Sequence, residues 1–186
     1  SYPSIVGCGE NATILHYTTN QDVCGSDEVI LIDAGAEFRG YASDITRSWP
    51  ISGTFTDAQR EIYQVVLDAQ LAAIDACRVG MPYTAPHEAA RRVLAEGLIS
   101  LGVISQSVEE ALDLESGDLK KWYMHNTSHW IGLDVHDAGV YKPGGKPRLL
   151  EPGMCLTVEP GLYFGAWRPD VDCPERYANI GIRIED

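Results

Sequence analysis

Val29-Ile30-Leu31-Ile32-Asp33-Ala34-Gly35 and Leu156-Thr157-Val158-Glu159-Pro160-Gly161 share one plan: an apolar run, an acid at its end, a small or stiff residue, then glycine. The first run is β-branched and continuous, which reads as a buried strand. The second, Met154 to Glu159, reads as a strand closed by Pro160-Gly161. Each is followed by a further strand carrying an acid, Asp44 within Gly40 to Arg47 and Glu185 at the end of Asn179 to Glu185. The expectation is two similar halves, each delivering two carboxylates to one centre. A carboxylate at the end of a buried strand needs a partner, because burying it alone costs too much. Asp33 before Ala-Gly also has the look of a turn cap, and Asp44 has Arg39 and Arg47 close in sequence as salt-bridge partners. Glu159 suits a turn less well, since Pro160 offers no N–H. Ile180, Ile182 and Ile184 alternate, so Gly181, Arg183 and Glu185 share the opposite face, more like a crowded polar interior than a solvated surface.

Between these segments the chain turns helical. Thr56 and Gln59 form a capping box ahead of a helix to about Val79, with Ile62, Val65, Val66, Ala69, Ala72, Ala73 and Ala76 at helical spacing and Gly80 and Pro82 at its end. A second helix is expected from about Thr84 to Leu101, and a short third one after the Ser107/Glu110 capping box. A hairpin connection is expected around Glu37 to Arg39. Strands at both ends and helices between them give an α+β fold of one domain, consistent with 186 residues of which 45% are hydrophobic.

The formal net charge of -13 argues against nucleic acid and anionic lipid as partners. No run approaches the roughly 20 apolar residues that span a bilayer. The five cysteines, Cys8, Cys24, Cys77, Cys155 and Cys173, are odd in number and lack CxxC spacing. They read as free thiols in a reducing compartment, which places the protein in a cytoplasm.

The stretch His125-Asn126-Thr127-Ser128-His129-Trp130-Ile131-Gly132-Leu133-Asp134-Val135-His136 holds three of the five histidines. Clustered imidazoles point to function more than a lone one does. His129 joined to Asp33, Asp44, Glu159 and Glu185 makes an oxygen-rich donor set, suited to Mn²⁺ with Co²⁺ and Zn²⁺ as alternatives. Four carboxylates exceed the need of one divalent ion, so two ions about 3.5–4 Å apart are expected, with a hydroxide between them.

These motifs, taken in order, resemble the pita-bread metallopeptidases: Asp33 and Asp44 eleven apart, Ser128-His129-Trp130, Val135-His136-Asp137, Glu159-Pro160-Gly161 and Ile182-Arg183-Ile184-Glu185-Asp186. The aminopeptidase P branch is the nearest likeness and prolidase the next, and the likeness runs over nearly the whole chain. It implies two pseudo-symmetric halves with a curved, mainly antiparallel sheet covered by helices. It makes residues 1–186 a metallopeptidase catalytic domain truncated at both ends, without the N-terminal domain of full-length relatives. It assigns Asp33 to one ion, Asp44 and Glu185 to bridging, and His129 and Glu159 to the other ion. Glu159 would handle the proton of the attacking hydroxide and His136 would stabilise the tetrahedral intermediate. His16, His125 and His136 would line the substrate pocket, His125 and Arg183 would join Glu159 and His136 as catalytic residues, and Arg183 would stand beside Asp44. His87 matches nothing and is read as a helix-surface residue; Trp130 is read as a wall of the site. The implied reaction is hydrolysis of the Xaa-Pro bond at peptide N-termini in a bacterial cytoplasm, by a parent that forms a homo-oligomer. Dipeptides as substrates, or a metal-free binding module on the same fold, are the rival readings.

Overall fold

A computed structural model describes residues 2 to 186. The first half is an antiparallel sheet in the order β1 (Ile5–Cys8), β2 (Val29–Asp33), β5 (Thr46–Pro50). Its register sets Ile5 opposite Asp33, and Asp33 opposite Thr46. Val29, Leu31 and Asp33 therefore point to one buried face, with the acid where the strand leaves the core. The apolar run ahead of Asp33 is what drives it inward.

The hairpin forms where expected. β3 (Glu37–Phe38) and β4 (Tyr41–Ala42) pair through Arg39 and Gly40, both at positive φ, the backbone that a two-residue hairpin turn requires. The single strand expected over Gly40 to Arg47 is instead two. Ser43, Asp44 and Ile45 form a link between β4 and β5. Ala34 N–H donates to Ile45 O and Ser43 N–H to Ala36 O, so the link is tied back to the turn after Asp33 instead of extending a ladder. Asp44 thus gains freedom to aim its carboxylate at Asp33.

Two long helices cover the sheet. α1 (Asp57–Ala76) starts at Thr56, whose hydroxyl accepts from Gln59 N–H while the Gln59 side chain accepts from Thr56 N–H. Ile62, Val66, Ala69 and Ala73 are completely buried. They pack on Ala90, Leu94 and Leu98 of α2 (Ala85–Ser100) and on Leu162, Ile182 and Ile184. The short α3 (Val108–Ala111) carries the second capping box at Ser107 and Glu110.

The second half is built around β6 (Gly161–Tyr163) and β7 (Gly181–Arg183), antiparallel, with Leu162 opposite Ile182. The strand expected to end at Glu159 is displaced: residues 154 to 159 are extended but bridge only at Leu156 to Trp130, and the ladder begins after Pro160. That segment alternates partners. Thr157 and Glu159 N–H donate to the carbonyls of His129 and Thr127, while Val158 exchanges bonds with Asp186 on the other side. Pro160 has no N–H to continue either edge. The halves join where β7 runs beside β5. Glu185 N–H donates to Thr46 O, and the Ser48 hydroxyl donates to Arg183 O. Among the described residues, no helix is long and apolar enough to cross a membrane.

Cys8 at the end of β1 is disulfide-bonded to Cys24, with Cα atoms 5.5 Å apart, so the expectation of five free thiols is corrected. Among the described residues, Cys77, Cys155 and Cys173 are free. The pairing was illegible because β1 and the chain before β2 meet only once the sheet has formed.

Candidate metal centre

The two halves bring their acids to the end of a cavity of about 840 Å³, lined by Asp33, Asp44, His129, Glu159 and Glu185 among others. Strand alternation does this on β7. Ile182 and Ile184 enter the helical core, and Arg183 and Glu185, 3% and 1% exposed, face the other way into the site. Ligand atoms of Asp44, His129 and Glu185 lie within 4.8 Å of one another. His129 Nε2 is 3.4 Å from Asp44 Oδ2 and 3.3 Å from Glu159 Oε1. Thr157 Oγ1 donates to Glu159 Oε1 at 3.2 Å, and Thr46 Oγ1 to Glu185 Oε2 at 2.5 Å.

His129 Nδ1 is 3.0 Å from the Trp130 carbonyl, so that nitrogen carries a proton and donates it. Nε2 is left facing two carboxylates. Burial opposes a charge on this ring, but the Asp44 hydrogen bond, the Trp130 carbonyl and the Glu159 charge prevail and raise its pKa to about 9. Without another cation, a proton on Nε2 must stand between the carboxylates. Burial, then the neighbouring charges of Glu159 and Asp44, push Glu185 up to about 8. Burial pushes Glu159 up to about 7 against the pull of His129 and Arg183. Burial also works against ionised Asp44, yet hydrogen bonds from His129 and Tyr2 hold its carboxyl below the usual range. This donor set, with its excess negative charge and an imidazole already oriented through Nδ1, fits hard or borderline divalent cations.

The carboxylate that Arg183 binds is Asp33, where Asp44 was expected. Its Nη2 donates to Asp33 Oδ2 at 2.7 Å, because β7 reaches the site at the β2 end. Nη1 donates to the Tyr163 hydroxyl at 3.1 Å, and that hydroxyl lies 2.8 Å from His125 Nε2. His125 Nδ1 is 2.8 Å from the Asn126 carbonyl, so it is the protonated nitrogen and Nε2 accepts from Tyr163. Both ring nitrogens of His125 are thereby engaged within the chain, and burial lowers its pKa to about 3. The ring lines the cavity as a neutral wall. His136 stacks edge-on against His129 with ring centroids 4.5 Å apart, exposed to the cavity. His16 reaches the same cavity from the loop after β1.

Two further expectations need revision. His87 is half-buried, not on the surface. Its Nδ1 accepts from Thr127 N–H at 3.2 Å and lies 2.9 Å from Thr127 Oγ1, and burial lowers its pKa to about 4. Trp130 does not line the cavity; it stacks on Tyr141, centroids 5.5 Å apart and nearly parallel, and backs the wall from behind. Trp122 is core, against Phe164. Sequence reasoning missed three tyrosines. The Tyr2 hydroxyl stands between Asp33 and Asp44 within donating distance of each, Tyr83 donates to the Ser128 carbonyl, and Tyr163 links Arg183 to His125. A signal existed for Tyr163, two residues beyond Gly161 on the strand after the second acid; none existed for Tyr2.

The chain is similar to proteins of known kind. It is 47% identical to the Xaa-Pro aminopeptidase of Escherichia coli (strain K12) over 186 residues, all of this chain and 41% of that protein. It is 45% identical to the Xaa-Pro aminopeptidase of Haemophilus influenzae, covering 42% of it. The solved aminopeptidase PepP of Pseudomonas aeruginosa superposes with a TM-score of 0.93 at 46% identity, over the whole chain and 41% of that structure. Escherichia coli aminopeptidase P in complex with substrate gives 0.91 with the same coverage. The chain thus spans about 41% of the length of such relatives, and its architecture is their pita-bread fold. The profile of metallopeptidase family M24 matches residues 1 to 186, and the chain belongs to that family.

Proposed function

We propose that residues 1–186 form the catalytic domain of a metal-dependent aminopeptidase that hydrolyses the Xaa-Pro bond at peptide N-termini. The observation that carries the reading is the convergence of Asp44, His129 and Glu185 within 4.8 Å, with Asp33 and Glu159 on the same cavity wall. The names of the relatives, Xaa-Pro aminopeptidases of whole length, supply the substrate class. Asp33, Asp44, His129, Glu159 and Glu185 would hold two divalent ions, Mn²⁺ foremost, with Asp44 and Glu185 shared between them. Such ions, when bound, polarise the scissile carbonyl and make water acidic enough to attack at neutral pH.

The chain's own groups then have distinct tasks. Glu159 takes the proton of the attacking water and passes it to the proline nitrogen. No hydrogen bond within the described residues engages His136, which leaves it free to donate to the oxyanion as the carbonyl becomes tetrahedral. His16 and the neutral face of His125 wall the pocket against the proline side. Arg183 fixes Asp33 and offsets part of the site's charge.

Turnover of Xaa-Pro-Yaa peptides by the full-length parent with Mn²⁺ tests the reading. Asp44→Ala is expected to lower kcat/KM by at least about 10³-fold, the scale of losing a charge-stabilising group. An unchanged rate would sink the mechanism. Faster cleavage of Xaa-Pro dipeptides than of tripeptides would replace it with a dipeptidase.

A further inference from the structure

One aromatic residue reaches the metal-ligand carboxylates from outside both repeats. The Tyr2 hydroxyl lies 2.5 Å from Asp33 Oδ1 and in close hydrogen-bond contact with Asp44 Oδ1. The other oxygen of each acid is also engaged. Asp33 Oδ2 accepts from Arg183 at 2.7 Å, and Asp44 Oδ2 faces His129 Nε2 at 3.4 Å. The orientation of both carboxylates is therefore set at both of their oxygens. A hydroxyl has one proton, so it donates to one carboxylate at a time and holds the two together only while the site supplies a counter-charge.

The backbone is shaped around this phenol. A Cβ on Gly35 would lie 2.8 Å from the Tyr2 ring and 1.9 Å from the Ser43 carbonyl. The glycine after the first acid is thus what lets the ring and the Asp44 link pass together. The second half repeats the device. A Cβ on Gly161, after Glu159, would lie 2.4 Å from the Tyr163 hydroxyl, which is bound to Arg183 and His125. Each acid-x-Gly motif thus makes room for a tyrosine beside the site, one from β6 and one from ahead of β1.

We infer that Tyr2 is a positioning residue for the proposed metal-binding carboxylates: its hydroxyl, seated between Oδ1 of Asp33 and Oδ1 of Asp44 and donating to one or the other, sets the spacing that a divalent ion meets. The inference rests on the proposed ligand roles of those two acids. Carboxylate oxygens keep a lone pair for a cation while accepting this bond, so the clamp persists in the loaded site.

The test is Mn²⁺ binding to the metal-free protein, by calorimetry and by competition with a chelating dye, for the parent, Tyr2→Phe and Tyr2→Leu. Circular dichroism monitors folding of each. The Phe variant keeps the ring and loses only the clamp; it is expected to bind Mn²⁺ about 10-fold more weakly, the lower end for groups that orient ligands. The Leu variant should lose as much and little more. The Mn²⁺ electron paramagnetic resonance spectrum of the loaded Phe variant should change, as the two acids relax. Unchanged or tighter binding by Tyr2→Phe overturns the clamp, as does a loss confined to Tyr2→Leu, which would assign the effect to ring packing. A parent that binds no Mn²⁺ overturns the ligand assignment itself, a result distinct from these.

Discussion

At the residue scale, the site is governed by how few atoms are left unengaged. Arg183 is 3% exposed and spends its donors on Tyr163, Asp33 and Thr46. Tyr163→Phe removes the acceptor for Nη1 and the donor to His125 at once. A buried guanidinium nitrogen without a partner costs about 1–3 kcal/mol, so denaturant melts of this variant should show a loss of that size with an unchanged m-value. A loss below about 0.5 kcal/mol, the level of an ordinary surface substitution, would mean that water or Glu185 satisfies the nitrogen and that the chain to His125 is incidental. The acids at strand ends were legible because a carboxylate after four apolar residues is an electrostatic problem on any fold. Their partners were not: Arg183 reaches Asp33 instead of Asp44 because of where β7 lies across β2. Tyr2 belongs to a segment whose composition says nothing about where its side chain goes.

At the element scale, the helices were legible and the strands only in part. Thr56 with Gln59 and Ser107 with Glu110 announce helix starts through local hydrogen bonds, so sequence alone suffices. Strand limits depend on partners. Asp44 lies in a link because the turn at Ala34 and Ala36 captures Ser43 and Ile45, and the second apolar run stops pairing at Pro160. The Cys8–Cys24 bond is of the same kind, with a separation of 16 residues closed only by tertiary structure. Thiol titration of the unfolded, unreduced chain should find Cys77, Cys155 and Cys173 reactive and two thiols blocked. Five reactive thiols would refute the pairing. Closing a loop of this length stabilises by about 3 kcal/mol in the chain-entropy account, so Cys8→Ser with Cys24→Ser should lower stability by that order. Because the loop carries His16 to the cavity, the same pair of substitutions should raise KM for peptides more than it lowers kcat.

At the scale of the whole molecule, folding gathers carboxylates into one buried centre against their own repulsion, and the consequence is a specific pH dependence of the metal-free protein. His129 has its pKa raised to about 9, so its contribution to stability is complete below about 6.5 and is lost as pH rises through 9. Glu159 and Glu185 are raised to about 7 and 8, so they hold protons that the unfolded chain has already released. Ionising them in place destabilises the fold progressively from about pH 4.5 to 8. His87 and His125 have the opposite sign. Lowered to about 4 and 3, they favour the folded state increasingly as pH rises to about 6.5 and contribute no slope beyond it. The opposing slopes offset each other between about pH 4.5 and 6.5, and only the destabilising ones remain above. Thermal melts in chelator should therefore fall steadily from pH 6.5 to 9. A divalent cation held by the proposed ligands would replace the protons that His129, Glu159 and Glu185 release, so its stabilising effect should grow over the range in which the metal-free protein weakens. Melts with and without Mn²⁺ at pH 6, 7, 8 and 9 measure this directly. A constant increment across that series would show that the cation binds away from these three residues.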